Sequence, residues 1–365
     1  MARRPAALAA LALVLAACSA DPVAAPAPSS SEPPPAPQSF TLLATGDVLV
    51  HQDRALTAGA EQPDGGYDFS GVLAPVAPMI GDADLAICHL ETPVAPAGGP
   101  YRGYPSFAVQ PEIVDALAGA GYDLCSTASN HSLDDGVDGL VRTLDVLDAA
   151  GIRHTGTYRT QAEALEPTLV DVGGVTVGHV AGTFGLNGVP LPAGREWSVD
   201  VADVPDVSGM LAAAARARAA GAEVVVASLH CCVEYRNDPT ETQVAAVQAL
   251  LASPDVDLVL GHHAHVVQPV ERIAGEWVAY GLGNHVAEHA TRGYPTEDSL
   301  AARFTFTRGA DGRFAVTTAE AVPLTIDLGE DAVSVRPADP ETFDRVAEVL
   351  GRRGGVGAGL QVVPH

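Results

Sequence analysis

Val256-Asp257-Leu258-Val259-Leu260-Gly261-His262-His263-Ala264-His265 decides the reading of this chain. Its first half is a short apolar run of the kind that makes a buried strand. A glycine and three imidazoles in four residues then follow, a string with little structural use. Layered α/β sheets place their chemistry just beyond the carboxyl ends of strands. The same order recurs upstream. Phe40–Thr45 leads into Gly46-Asp47, and Ala83–Cys88 into His89-Leu90-Glu91. Asp123–Thr127 leads to Ser129-Asn130-His131, and Glu223–Leu229 to His230. Gly174–Ala181 and Trp277–Gly281 are two further strand candidates. Taken singly, each polar group has an ordinary explanation: Asp47 a turn, Glu91 a loop acid or helix cap, Asn130-His131 another cap. Five strand ends that all deliver ligand-type side chains form a much more specific signal.

Amphipathic stretches separate these runs. Pro111–Ala118, Gly136–Ala149, Val207–Ala220 and Thr240–Leu251 read as helices. Leu140, Leu144 and Leu147 recur at three- and four-residue steps, and Gly151 is placed to stop that helix. Strands alternating with helices predict a layered α/β fold. The tail differs: Ala302–Phe306 and Phe314–Thr318 flank a turn at Asp311-Gly312, predicting a hairpin and a β-rich end. A last helix is expected over Glu341–Leu350.

Two carboxylates, several neutral imidazoles and a carboxamide make a mixed nitrogen and oxygen set suited to divalent Zn, Mn, Fe or Ni, and ligand type alone does not choose among them. A bridging carboxylate allows two such ions ~3.5–4 Å apart, a spacing that clamps a phosphoryl group and activates a water.

The leader bounds the setting. Arg3 and Arg4 precede an apolar run from Pro5 to Ala17, too short to span a bilayer but suited to a signal peptide (1–17). Leu15-Ala16-Ala17-Cys18 resembles a bacterial lipobox, which marks Cys18 for lipidation. Residues 18–39, rich in Pro, Ala and Ser, read as a semi-stiff tether. The expected setting is export, with a lipid anchor on the outer face of the bacterial cell membrane and one domain over residues 40–365. The formal charge is −25 and the chain has no lysine. No nucleic-acid partner is expected of so acidic a surface. Cys88 and Cys125 are expected as buried thiols at strand ends, a bridge between them being the lesser option. The Cys231-Cys232 pair is left open.

The ordered set resembles the CapA-type proteins of poly-γ-glutamate capsule synthesis, a branch of the metallophosphatase, or calcineurin-like phosphoesterase, fold. The resemblance runs from about Phe40 to His285. Gly46-Asp47 matches the opening motif. Asp84-Leu85 through Leu90-Glu91 matches D-L-x-x-x-N-L-E, with His89 where Asn is usual. Asn130-His131-Ser132-Leu133-Asp134-Asp135-Gly136 matches N-H-x-x-D-x-G. Ser228-Leu229-His230 and Glu234-Tyr235 match S-x-H-W-G-x-E-Y, with Cys231-Cys232 replacing Trp-Gly. Gly261 to Val266 matches G-H-H-P-H-V, with Ala264 for Pro. Tyr280-Gly281-Leu282-Gly283-Asn284 matches Y-S-L-G-N-F, with His285 for Phe.

The resemblance implies a metallophosphatase-like β-sandwich flanked by helices. It implies Asp47, Glu91, Asn130, His230, His262 and His265 as ligands of two divalent ions, with Glu91 as the bridge. His131 would donate to the reacting oxygen, and Asp134 would orient it. His89, His263, Glu234, Asn284 and His285 are candidates for places behind the ligands. The implied activity is metal-dependent phosphoester hydrolysis in the cell envelope. Two alternatives stand beside it: non-hydrolytic binding of an anionic polymer handed to capsule synthase or export proteins, and hydrolysis or transfer at amide bonds.

Overall fold

The computed structural model describes residues 39–289, 295–329 and 332–364. The leader, Cys18 and the tether up to residue 38 lie outside them. The chain opens with β1 (Ser39–Val48), three short helices α1 (Ala55–Ala60), α2 (Ser70–Leu73) and α3 (Ala77–Gly81), and then β2 (Leu85–Leu90). Next come α4 (Glu112–Ala120), β3 (Leu124–Ser126), α5 (Gly136–Ala149) and β4 (Arg153–Thr155). The middle holds α6 (Gln161–Leu165), β5 (Thr168–Val172), β6 (Val175–Thr183), α7 (Ser208–Ala219) and β7 (Val224–His230). It continues through α8 (Glu241–Leu251), β8 (Leu258–His262), β9 (Val270–Ile273) and β10 (Glu276–Ala279). The last part is β11 (Asn284–Val286), β12 (Asp298–Arg308), β13 (Phe314–Leu328), β14 (Val333–Pro337), α9 (Pro340–Gly351) and β15 (Leu360–Val362).

These strands make two sheets. One runs β14-β13-β12-β1-β2-β3-β4, with β11 beside β1 and β15 beside β13; the other runs β5-β6-β7-β8-β10-β9. Period-two alternation explains why they stack. Phe40, Leu42 and Ala44 of β1 and Leu85 and Ile87 of β2 share one buried cluster with Val224 and Val226 of β7 and Leu258 and Leu260 of β8. The intervening Leu43, Ala86 and Cys88 point the other way, onto Leu117 of α4 and Leu140, Leu144 and Leu147 of α5. Val225, Ala227, Leu229 and Val259 likewise meet Met210 and Ala214 of α7 and Leu250 of α8. The result is helix, sheet, sheet, helix. Strands β7 and β8 are buried on both faces, and for that reason they read as unbroken apolar runs.

The hairpin closes at the predicted Asp311-Gly312 turn, but its strands extend to Asp298–Arg308 and Phe314–Leu328 and join the first sheet. Strands β4, β5, β9, β11, β14 and β15 were not anticipated; at three to five residues they carry too little alternation to stand out. The cysteine expectation is corrected. Cys88 and Cys125 lie directly opposite in the parallel β2–β3 register, with Cα atoms 4.5 Å apart, and form a disulfide. Cys231 and Cys232 also pair with each other.

Two glycines are required by close backbone approach. A Cβ on Gly46 would collide with the carbonyl oxygen of Gly283, and one on Gly261 with that of Tyr280. Both collisions are with the strap 279–284, which passes from β10 of the second sheet to β11 of the first. Gly261→Ala is therefore expected to destabilise the protein by about 1–3 kcal/mol through overpacking. Gly209→Ala, on α7 with open space around it, should be neutral or stabilise by up to about 1 kcal/mol. Urea midpoints of the two variants would separate these outcomes.

Candidate metal centre

The carboxyl ends of β1, β2, β7 and β8, and the segment after β3, converge from both sheets on one buried volume. Asp47, at the end of β1, is gripped by the imidazole string that follows β8. His262 Nδ1 lies 3.0 Å from Asp47 Oδ1, and the His263 backbone N–H donates to Oδ2 at 3.0 Å. His265 Nδ1 lies 3.3 Å from the same Oδ2 and 2.9 Å from Asn284 Oδ1. Asn284 is itself anchored, its amide donating to the carbonyls of His265 and Thr296. His263 and His265 adopt φ of 84° and 55°. This left-handed backbone is costly for bulky side chains and is found mostly where the surrounding structure fixes it for a purpose.

Glu91, just after β2, sits at the centre. Its Oε1 is 3.8 Å from His265 Nε2 and 4.0 Å from both His230 Nε2 and His131 Nε2. These gaps are too long for hydrogen bonds. Two donors each about 2.1 Å from a common ion stand roughly 3–4 Å apart. Asn130 Oδ1 is 3.0 Å from His230 Nε2. His131 Nδ1 is 2.6 Å from Asp134 Oδ2, an oxygen that also accepts the Phe107 N–H at 2.8 Å. Asp134 thus fixes both the ring and its loop.

The structure thereby brings Asp47, Glu91, Asn130, His131, Asp134, His230, His262, His265 and Asn284 together. His263 joins them: it lies within ligand reach of Glu91 and His230, and of Glu234 and His265. Glu234 is partly exposed beside it. His89 stacks on His262, with ring centroids 4.1 Å apart. His285 is not part of the cluster. It is fully buried, with Nε2 2.8 Å from the Tyr122 hydroxyl, which contacts Thr45 Oγ1 at 2.6 Å. Asn187, missed in the sequence, contacts both the Asn130 amide and His131 Nδ1 at 3.3 and 3.4 Å. It lies in an irregular loop, in none of the recognised motifs, and only the tertiary structure reveals it. The cluster opens into a cleft of ≈ 590 Å³ bordered by Tyr104, Phe107, Tyr235, His289 and Arg54.

Residues 41–289 match the family model described as bacterial capsule synthesis protein PGA_cap. The chain belongs to this family. Among PGA_cap relatives, it is 28% identical over 208 residues to the PGA biosynthesis protein CapA of Bacillus subtilis, covering 56% of this chain and 53% of that protein. It is 24% identical over 300 residues to the capsule biosynthesis protein CapA of Bacillus anthracis, covering 80% and 69%. The match thus spans about half the length of the B. subtilis relative. Among solved structures, the calcineurin-like phosphoesterase YfkN of B. subtilis is 17% identical with a TM-score of 0.46, covering 85% of this chain and 97% of that one. NAD nucleotidase of Haemophilus influenzae is 9% identical with a TM-score of 0.45, covering 90% and 64%.

The residues fit divalent metal ions on their own chemistry. Both Glu91 oxygens, His262 Nε2 and His263 Nδ1 are buried without a hydrogen-bond partner, a costly state unless something else satisfies them. Several groups of three carboxylate and imidazole donors fall within 4.8 Å of one another. The electrostatics agree. Burial pushes the Glu91 carboxyl up to about 7. Burial alone would lower His265, but Glu91 and Asp47 outweigh it and hold the ring's acidity constant up, near 10. Asp47 is held well below the carboxylate range: burial opposes this, and contacts from His262 and His265 overcome it. Near neutral pH, then, His265 carries a proton that a coordinating imidazole must give up, and Glu91 carries part of another. Uptake of Mn²⁺ or Zn²⁺ should release protons and strengthen from pH 6 to 8, by about tenfold per pH unit for each proton displaced. Calorimetry in buffers of different ionisation heat measures the count; a value of zero would contradict this account of the site.

Proposed function

We propose that this PGA_cap protein is a metal-dependent phosphoester hydrolase of the cell envelope. On this reading it is exported, tethered through a lipidated Cys18 to the outer face of the membrane, and works alongside capsule synthase and export proteins. The observation that carries the reading is the convergence on Glu91: three imidazole Nε2 atoms stand 3.8–4.0 Å from one buried, unpartnered carboxylate oxygen. Two divalent ions held by Asp47, Glu91, Asn130, His230, His262 and His265 would polarise a phosphoryl oxygen and activate the attacking water.

The chain's own residues supply the rest. His131 turns its Nε2 toward Glu91 at the floor of the cleft, and Asp134 holds its Nδ1. Burial would lower the His131 acidity constant, but the hydrogen bond to Asp134 and the Glu91 charge raise it above the ordinary histidine value. A ring so held can carry a proton to a departing oxygen near neutral pH. Phe107 meets the His131 ring edge-on, with centroids 4.8 Å apart, and limits its tilt. Arg54 is the only arginine among the described residues lining the cleft, which places one fixed positive charge beside an anionic substrate.

Metal-loaded protein should cleave an aryl phosphate mono- or diester. Glu91→Ala and His265→Ala should abolish turnover together with metal content. His131→Asn should keep the metal but lose about 10²–10⁴ in kcat. Loaded wild-type protein that cleaves no phosphoester, yet retains an anionic polymer such as poly-γ-glutamate, would replace this reading with a non-hydrolytic binding role.

A further inference from the structure

Each imidazole that faces Glu91 has its other nitrogen held, and one is held in an unusual way. His265 Nδ1 is held by oxygens of Asn284 and Asp47, and His131 Nδ1 by Asp134. His230 Nδ1 meets another imidazole instead: His89 Nε2 at 2.9 Å. His89 Nδ1 in turn lies 2.8 Å from Ser126 Oγ, and Ser126 Oγ donates to the Cys88 carbonyl at 3.5 Å. All three side chains are fully buried. His89 faces Asp47 on one neighbouring strand and Ser126 on the other, and the Cys88–Cys125 disulfide fixes the adjacent rung of the β2–β3 ladder.

We propose that His89 is a positioning residue that sets the tautomer and rotation of the metal ligand His230. The inference rests on the metal-centre reading above and deepens it. The proton count is closed. His230 turns Nε2 toward Glu91 and Asn130, so coordination through Nε2 leaves the ring proton on Nδ1. That proton needs an acceptor, since a buried N–H without one is costly. His89 Nε2 accepts it, which places the His89 proton on Nδ1. Ser126 Oγ accepts that one, and its own hydrogen goes to the Cys88 carbonyl. Each neutral ring carries a single proton, and the line ends on a backbone oxygen that needs none. His89 is not itself a ligand in this arrangement, because both its nitrogens are spent on Ser126 and His230. The partner behind a metal-bound histidine is ordinarily a carboxylate, carbonyl or water; here an imidazole and a serine hydroxyl take that place.

The test uses the full mature protein, with metal affinity and the visible spectrum of the cobalt-substituted form as readouts. His89→Leu removes the acceptor and should weaken the ion held by His230 by about 10- to 100-fold, leaving the other near wild-type affinity. His89→Gln presents an oxygen acceptor near the position of Nε2 and should restore affinity and the wild-type cobalt spectrum. Ser126→Ala leaves His89 in place and should produce a smaller loss; it serves as the second probe where His89→Leu fails to fold. His89→Leu with two ions at wild-type affinity and an unchanged spectrum would overturn the proposal alone. Loss of one nitrogen ligand from the spectrum in His89→Gln would overturn it in favour of direct ligation. Wild-type protein that takes up no ions would overturn the metal-centre reading, and this inference with it.

Discussion

Asp47 is where the two sheets are tied together at the site. It ends a strand of the first sheet, and its two oxygens are engaged by His262, the His263 N–H and His265, all from the end of a strand of the second. A buried carboxylate without such partners would be unstable as an anion. With them it stays ionised, and it fixes the Nδ1 side of His262 so that Nε2 turns away with no other partner. Much of the site's geometry follows from that arrangement. The stacked sheets supply the bulk stability, but apolar packing is non-directional and could not set the angle of an imidazole.

The strap 279–284 makes this contact sterically possible. It crosses from the second sheet to the first and lies against Gly46 and Gly261, the residues just before Asp47 and His262. Asp47 N–H donates to the Gly283 carbonyl at 3.0 Å. Asn284 at the end of the strap then reaches back to His265. One short segment therefore sets how closely the strand ends approach and also steers a ligand. This accounts physically for the Gly-Leu-Gly-Asn string, which as bare sequence looks like a loop.

The legible parts of the fold are those whose signal is local. The runs at β1, β2, β7 and β8 announced themselves because they alternate or are wholly apolar, and the polar residues after them marked the site. The Leu140, Leu144 and Leu147 stripe did the same for α5. What escaped depends on register between distant segments. Cys88 meets Cys125 across 37 residues of chain, and nothing near either thiol specifies that rung. His285 stands beside a motif residue yet turns toward Tyr122, because neighbours on a strand face opposite sides. Asn187 enters from a loop with no periodicity. His89 stood out as an extra imidazole, but its meeting with His230, 141 residues away, exists only in the folded chain.

On the proposed reading, charge imposes an order of events. The chain carries −25, and the cleft contains Glu234 and the buried Glu91 and Asp47 against Arg54 alone among the described cationic lining residues. A polyanion or phosphoester approaching such a surface is repelled at long range. Held near the cluster it would also face desolvated carboxylates, where repulsion is screened least. The protons that Glu91 and His265 retain reduce this negative charge only in part. Divalent cations would supply positive charge where the substrate's own charge must sit, so the site gains affinity for an anion as it is loaded. His230 and its partner His89 then matter for binding as well as chemistry: a ring held in the wrong tautomer leaves the cleft short of positive charge before any bond is broken.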